Sequence, residues 1–124
     1  ERETMEAESS RQIMNRKEAL ERELQLGLSA RRAKDPAAEF SRLERAHILS
    51  QPNAWDHTRV HLWMLGFALR QKRGRETLGQ LFRLFAAAPA SWSGRYPLGN
   101  TGGSNVSAFA AMPIPKDLEP HVNP

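Results

Sequence analysis

The chain has 124 residues, 40% hydrophobic and 26% charged, with a formal net charge of +4 and no cysteine. That length fits one ordinary domain, and the composition is that of a globular protein with a polar surface. Disulfides, thiolate metal sites, iron–sulfur clusters and cysteine nucleophiles are excluded, and no apolar run reaches the roughly 18 residues a membrane-spanning helix needs.

Residues 1–14 read as a polar, acidic extension with two basic and four acidic side chains. Glu1-Arg2-Glu3-Thr4 opens no signal-type apolar stretch, so a cytoplasmic location is the expectation. The first helix starts at Asn15, where Asn15 and Glu18 form a capping-box pattern, each side chain accepting from the other's backbone N–H. Ala19, Leu20, Leu24 and Leu28 recur at helical spacing, and the run ends near Arg32–Lys34. Asp35-Pro36 caps and opens a second helix, which runs to about Ser50 with Phe40, Leu43 and His47 on one stripe.

Gln51-Pro52-Asn53 is the next turn, and Asn53 caps a third helix from about Ala54 to Lys72. His57, Val60, His61, Met64, Leu65 and Ala68 share one face of it. Gly74 breaks that helix; a fourth is expected from Arg75 to Ala87, with Leu78, Leu81, Phe82 and Phe85 inward and Pro89 closing it. A shift of 38 residues pairs Leu24 with Leu62, Ala30 with Ala68, Phe40 with Leu78, Leu43 with Leu81 and His47 with Phe85. The fold expected is all-α: four helices in two stacked, tetratricopeptide-like hairpins, although the period and signature residues of that repeat are absent.

From Ser91 the sequence is turn chemistry, and Met112-Pro113-Ile114-Pro115 should be extended. The expected division is an extension over 1–14, a helical domain over 15–90, and a glycine- and proline-rich segment over 91–124. That last segment packs on the same domain through Trp92, Tyr96, Leu98, Val106, Phe109 and Ile114.

The sharpest chemical constellation is Glu44 and His47 on the second helix with His57 and His61 on the third. Glu44 and His47 lie three apart, and His57 and His61 four apart, so each pair shares a helix side. A short turn makes these helices antiparallel, which brings three imidazoles together near the closed end of the hairpin. Three His with Glu44, as fourth ligand or as an acceptor orienting a ring, suit zinc or another divalent transition ion. Affinity should fall below about pH 6 as free imidazole protonates near its usual pKa of about 6.5. The same histidines can instead be satisfied polar members of a core. A single Glu-x-x-His pair is too few for a di-iron bundle.

The segment Gly94 to Gly103 reads in two ways. Its glycines can let a chain cross closely packed helices where a side chain would not fit. Alternatively Arg95, Asn100, Gly102 and Gly103 could bind an anion. No Walker or dinucleotide fingerprint is present. The basic run Arg70-Gln71-Lys72-Arg73-Gly74-Arg75 suits a solvated helix end. It lacks interleaved aromatics and any recognition motif, so no nucleic-acid partner is expected. No catalytic residue is assigned.

Leu43-Glu44-Arg45-Ala46-His47-Ile48-Leu49, His57-Thr58-Arg59-Val60-His61, Gly94-Arg95-Tyr96-Pro97 with Gly99-Asn100-Thr101-Gly102-Gly103, and Met112-Pro113-Ile114-Pro115 carry a resemblance. Over about residues 14–118 the chain resembles a small bacterial family catalogued only as a domain of unknown function. The resemblance implies no activity. It carries a loose association with heavy-metal-resistance gene neighbourhoods, which points the same way as the histidines. Three functions are therefore expected, in this order: non-catalytic metal binding, a helical protein-interaction module with structural histidines, and a small enzyme acting on an anion at the His cluster and the Arg95–Asn100 loop.

Overall fold

The computed structural model describes Arg2 and residues 15–122; apart from Arg2, the expected extension 1–14 lies outside the described residues. The described chain is all-helical: α1 (Arg16–Arg32), α2 (Pro36–Ser50), α3 (Ala54–Arg70), α4 (Gly74–Ser93) and the single-turn α5 (Glu119–Val122). No helix among the described residues is long and apolar enough to cross a membrane. Helices α1 and α2 pack as one hairpin and α3 and α4 as a second, and the two meet through α2 and α3.

The caps expected from sequence carry the helix starts. Asn15, Asp35 and Asn53 accept from the backbone N–H three residues on, at 2.8, 3.1 and 2.9 Å. Glu18 returns the contact to the Asn15 side-chain amide, 2.7 Å away, rather than to its backbone N–H. The α1–α2 and α3–α4 turns each contain a lysine in the left-handed region, Lys34 at φ 56° and Lys72 at φ 54°, and α3 ends at Arg70, two residues before expected.

The core gathers Leu20, Leu24, Leu43, Ala46, Leu49, Val60, Met64 and Phe67, joined from the C-terminal end by Leu118. Buried carboxylates tie the hairpins at the edge of this core. Asp56 of α3 meets Arg16 at 2.9 Å and Lys17 at 2.6 Å on α1, and Glu23 of α1 meets Arg42 and Arg45 on α2. Arg70 opens the basic run and is held by Glu39 at 2.6 Å.

Helix α4 departs from expectation in two ways. It runs through Pro89 to Ser93 and stops at Gly94, whose φ of 69° breaks the helical path. The helix tolerates the proline because Pro89 and Phe85, the residue whose carbonyl loses its partner, both lie on the exposed side. More important, the helix is turned the other way round. Leu78, Phe82 and Phe85 are 72%, 61% and 81% exposed, and Leu81 is also exposed. The buried positions are Glu76, Gln80, Ala87 and Ser91.

The 38-residue correspondence therefore pairs buried residues with exposed ones, such as Leu43 with Leu81 and His47 with Phe85. Three expected anchors of the C-terminal segment, Trp92, Leu98 and Phe109, are exposed as well, and Leu118 enters the core in their place.

Candidate metal centre

His47 lies in the last turn of α2 and His57 and His61 in the first two turns of α3, so the tight turn at Gln51–Asn53 brings the three rings together. All three are buried. Nε2 of His47 is 3.1 Å from Nε2 of both His57 and His61, and those two are 3.2 Å apart.

Each ring points its other nitrogen at an acceptor. Nδ1 of His47 lies 2.6 Å from the Asn100 carbonyl and Nδ1 of His61 lies 2.7 Å from Oε1 of Gln80. Nδ1 of His57 lies 2.8 Å from the Ser91 hydroxyl, which itself donates to the Gln51 carbonyl and so is left to accept. These partners assign the proton of every neutral ring to Nδ1. Three Nε2 lone pairs then face one another with no hydrogen between them.

A proton does not resolve this arrangement at neutral pH. Burial, reinforced by the neighbouring imidazoles, drives His47 well below the ordinary histidine range. Burial and His61 bring His57 down to about 4, and burial brings His61 to about 4. Desolvation disfavours the charged ring, so the cluster stays neutral. A cation that accepts three lone pairs suits it instead. Tetrahedral bonds of about 2.0–2.1 Å place ligand nitrogens about 3.3 Å apart, close to the spacing found here.

His47, His57 and His61 are the only group of three or more potential ligands that converge among the described residues, and Glu44 is not part of it. Nor does Glu44 orient a ring, since Asn100, Ser91 and Gln80 take that role. Its half-buried carboxyl faces Thr101 and Glu76, and burial raises its pKa despite the Thr101 hydroxyl.

The glycine segment covers the histidines. Gly102, at φ 81°, lies against the His47 ring so closely that a Cβ would sit 2.5 Å from Cδ2. Its N–H donates to Oδ1 of Asn100 at 2.8 Å, and its carbonyl accepts from Gln80 and Arg83, each at 2.7 Å. The Asn100 amide donates to the carbonyls of Ser107 and Ala110. Gly103 packs on Phe40, and its carbonyl accepts from Arg83. Of the four residues expected to bind an anion, only Arg95 keeps a free side chain, at the border of a cavity beside the histidines.

Sequence reading missed Gln51, Gln80, Arg83 and Ser91. Glu76, Gln80, Arg83, Ala87 and Ser91 form a polar or small stripe at helical spacing along α4, and that stripe was the available signal.

A family model described as "Protein of unknown function (DUF3703)" matches residues 14–122. The chain belongs to this family. The match spans all three histidines, the glycine segment and Leu118. No curated protein and no solved structure matches it.

Proposed function

We propose that this protein binds one divalent transition-metal ion, with zinc the best match to three imidazoles, through Nε2 of His47, His57 and His61. The observation that carries the proposal is the convergence of three Nε2 atoms at 3.1–3.2 Å while every Nδ1 is held by an acceptor. In metal sites such outer acceptors fix the tautomer and raise ligand basicity. The role proposed is binding, and no residue is assigned to a reaction. Residues 15–90 are taken as the helical domain that supplies the ligands and 91–124 as the segment packed over them, in a cytoplasmic protein.

The test is metal analysis of untagged protein followed by zinc titration of the wild type and His61→Ala. One ion per chain is expected for the wild type and none for the variant. Weak binding without stoichiometry, equal in both, defeats the proposal. The orienting acceptors supply a second, graded measurement. Gln80→Leu and Ser91→Ala should each weaken zinc about 10–100-fold in a competition titration while the chain stays folded. Unchanged affinity in both would mean that the Nδ1 contacts do not prepare the ligands.

The outward stripe of α4 favours a second function, a tetratricopeptide-like interaction module. Leu78, Leu81, Phe82 and Phe85 make one exposed apolar face on the fourth helix. Leu78→Ser with Phe85→Ser should leave zinc binding intact and lower any concentration-dependent association in sedimentation velocity. Identical sedimentation of both proteins at every concentration counts against self-association through this face.

A further inference from the structure

We infer that the metal's remaining coordination position binds a small monoanion, a short-chain carboxylate, held in the cavity beside the histidines. This inference rests on the metal-binding function proposed above. Three imidazoles are one ligand short of a tetrahedral set, so an ion held by His47, His57 and His61 would have a fourth position left for another ligand. All three imidazoles border one cavity of about 110 Å³. The space exists because α4 presents methyl side chains there, Ala86, Ala87 and Ala90, where leucines would fill it.

Charge selects the occupant. Three neutral imidazoles bring no negative charge to a divalent ion. Arg83 and Arg95 border the same cavity, and no aspartate or glutamate does. Arg83 is fixed by the carbonyls of Gly102, Gly103 and Val106. Glu76, on the same helix, is engaged by Ser104 and Gln80. The Arg95 side chain has no partner among the described residues. A dication bordered by two guanidiniums and by no carboxylate attracts an anion, and the exposed Arg95 side chain is free to meet one arriving from solvent.

Size and wall chemistry narrow the class. The cavity is well below the roughly 300–1,000 Å³ of pockets that take drug-sized ligands, so the group beside the histidines must be small. The alanines and Phe82 offer hydrocarbon contact. A carboxylate of about two to four carbons satisfies both demands: one oxygen takes the open position, Arg95 faces the remaining charge, and the short chain lies on the alanines.

The experiment uses the full chain loaded with Co(II), whose visible ligand-field bands report coordination directly. Acetate is titrated in, with acetamide as the neutral isostere. A saturable band change with acetate and none with acetamide is expected. Arg95→Ala should weaken acetate about tenfold at unchanged cobalt stoichiometry, through loss of one charge-assisted contact, and Ala90→Leu should remove the response by filling the space. One cobalt per chain with bands that acetate never alters overturns this inference and leaves the metal site standing. A chain that binds no cobalt overturns both. An acetate response of equal strength in the wild type, Arg95→Ala and Ala90→Leu shows coordination without recognition by the cavity and also overturns the inference.

Discussion

Gly102→Ala should destabilise the folded protein by roughly 3 kcal/mol and abolish tight zinc binding with it. Two costs combine. At φ 81° an L side chain is strained, by roughly 1–2 kcal/mol. The added Cβ would also lie 2.5 Å from the His47 ring, and overpacking of a buried contact adds roughly 1–3 kcal/mol. The ring cannot simply yield, because its Nδ1 is held by Asn100 and its Nε2 faces the other two histidines. Either the loop lifts away, and His47 loses its acceptor, or the ring turns, and the cluster loses a ligand. Gly94→Ala is the matched control, since Gly94 has φ 69° but nothing near its Cβ position. It should show the strain cost alone and bind zinc as the wild type does. Urea denaturation and zinc competition measure both quantities. Wild-type stability and affinity in Gly102→Ala would show that the glycine segment does not position His47.

Acid should unfold the metal-free protein well before its carboxylates titrate. His57 and His61 have folded-state pKa values of about 4, against about 6.5 in an unfolded chain. Between those values the unfolded state binds more protons, so stability falls as pH falls. The contribution is complete above about pH 6.5, is lost progressively toward pH 4, and changes no further below. Each unit of depression is worth about 1.4 kcal/mol, so this buried cluster dominates the slope in that window. The native cluster also resists protons for the same reason. Zinc affinity should therefore persist below the pH 6 expected for free imidazole and fail as pH approaches 4, where protonation removes the lone pairs. Urea midpoints from pH 4 to 8, for the wild type and for His57→Gln in the presence of a chelator, provide the check. Identical slopes in the two proteins would mean that His57 is not buried as a neutral ring.

Local signals made α1, α2 and α3 legible from sequence. Asn15, Asp35 and Asn53 act on backbone N–H groups three residues away, and Leu20, Leu24, Leu43, Val60 and Met64 recur at a period any helix imposes. The meeting of His47 with His57 and His61 was legible for a similar reason, since only a three-residue turn separates their helices. Glu44 was placed wrongly because a spacing of three fixes a shared helix side and not the direction of the side chain. Its carboxyl turns toward Thr101 and Glu76, while the orienting acceptors come from residues 53, 34 and 19 positions away. No local pattern encodes such pairings.

Helix α4 shows where sequence stops and tertiary structure decides. The sequence by itself determined that a fourth helix with an apolar stripe follows Gly74, and that imidazole and carboxylate are the strong metal ligands available to a chain without cysteine. Only the tertiary structure decided which stripe faces inward. Apolar burial alone favours Leu78, Phe82 and Phe85. The neighbouring surface, however, carries buried imidazole N–H groups and loop carbonyls, and each one left unpaired costs roughly 1–3 kcal/mol. Gln80, Arg83 and Ser91 pair with those groups, so the polar stripe turns in, the alanines beside it leave the cavity, and the apolar face is left to solvent.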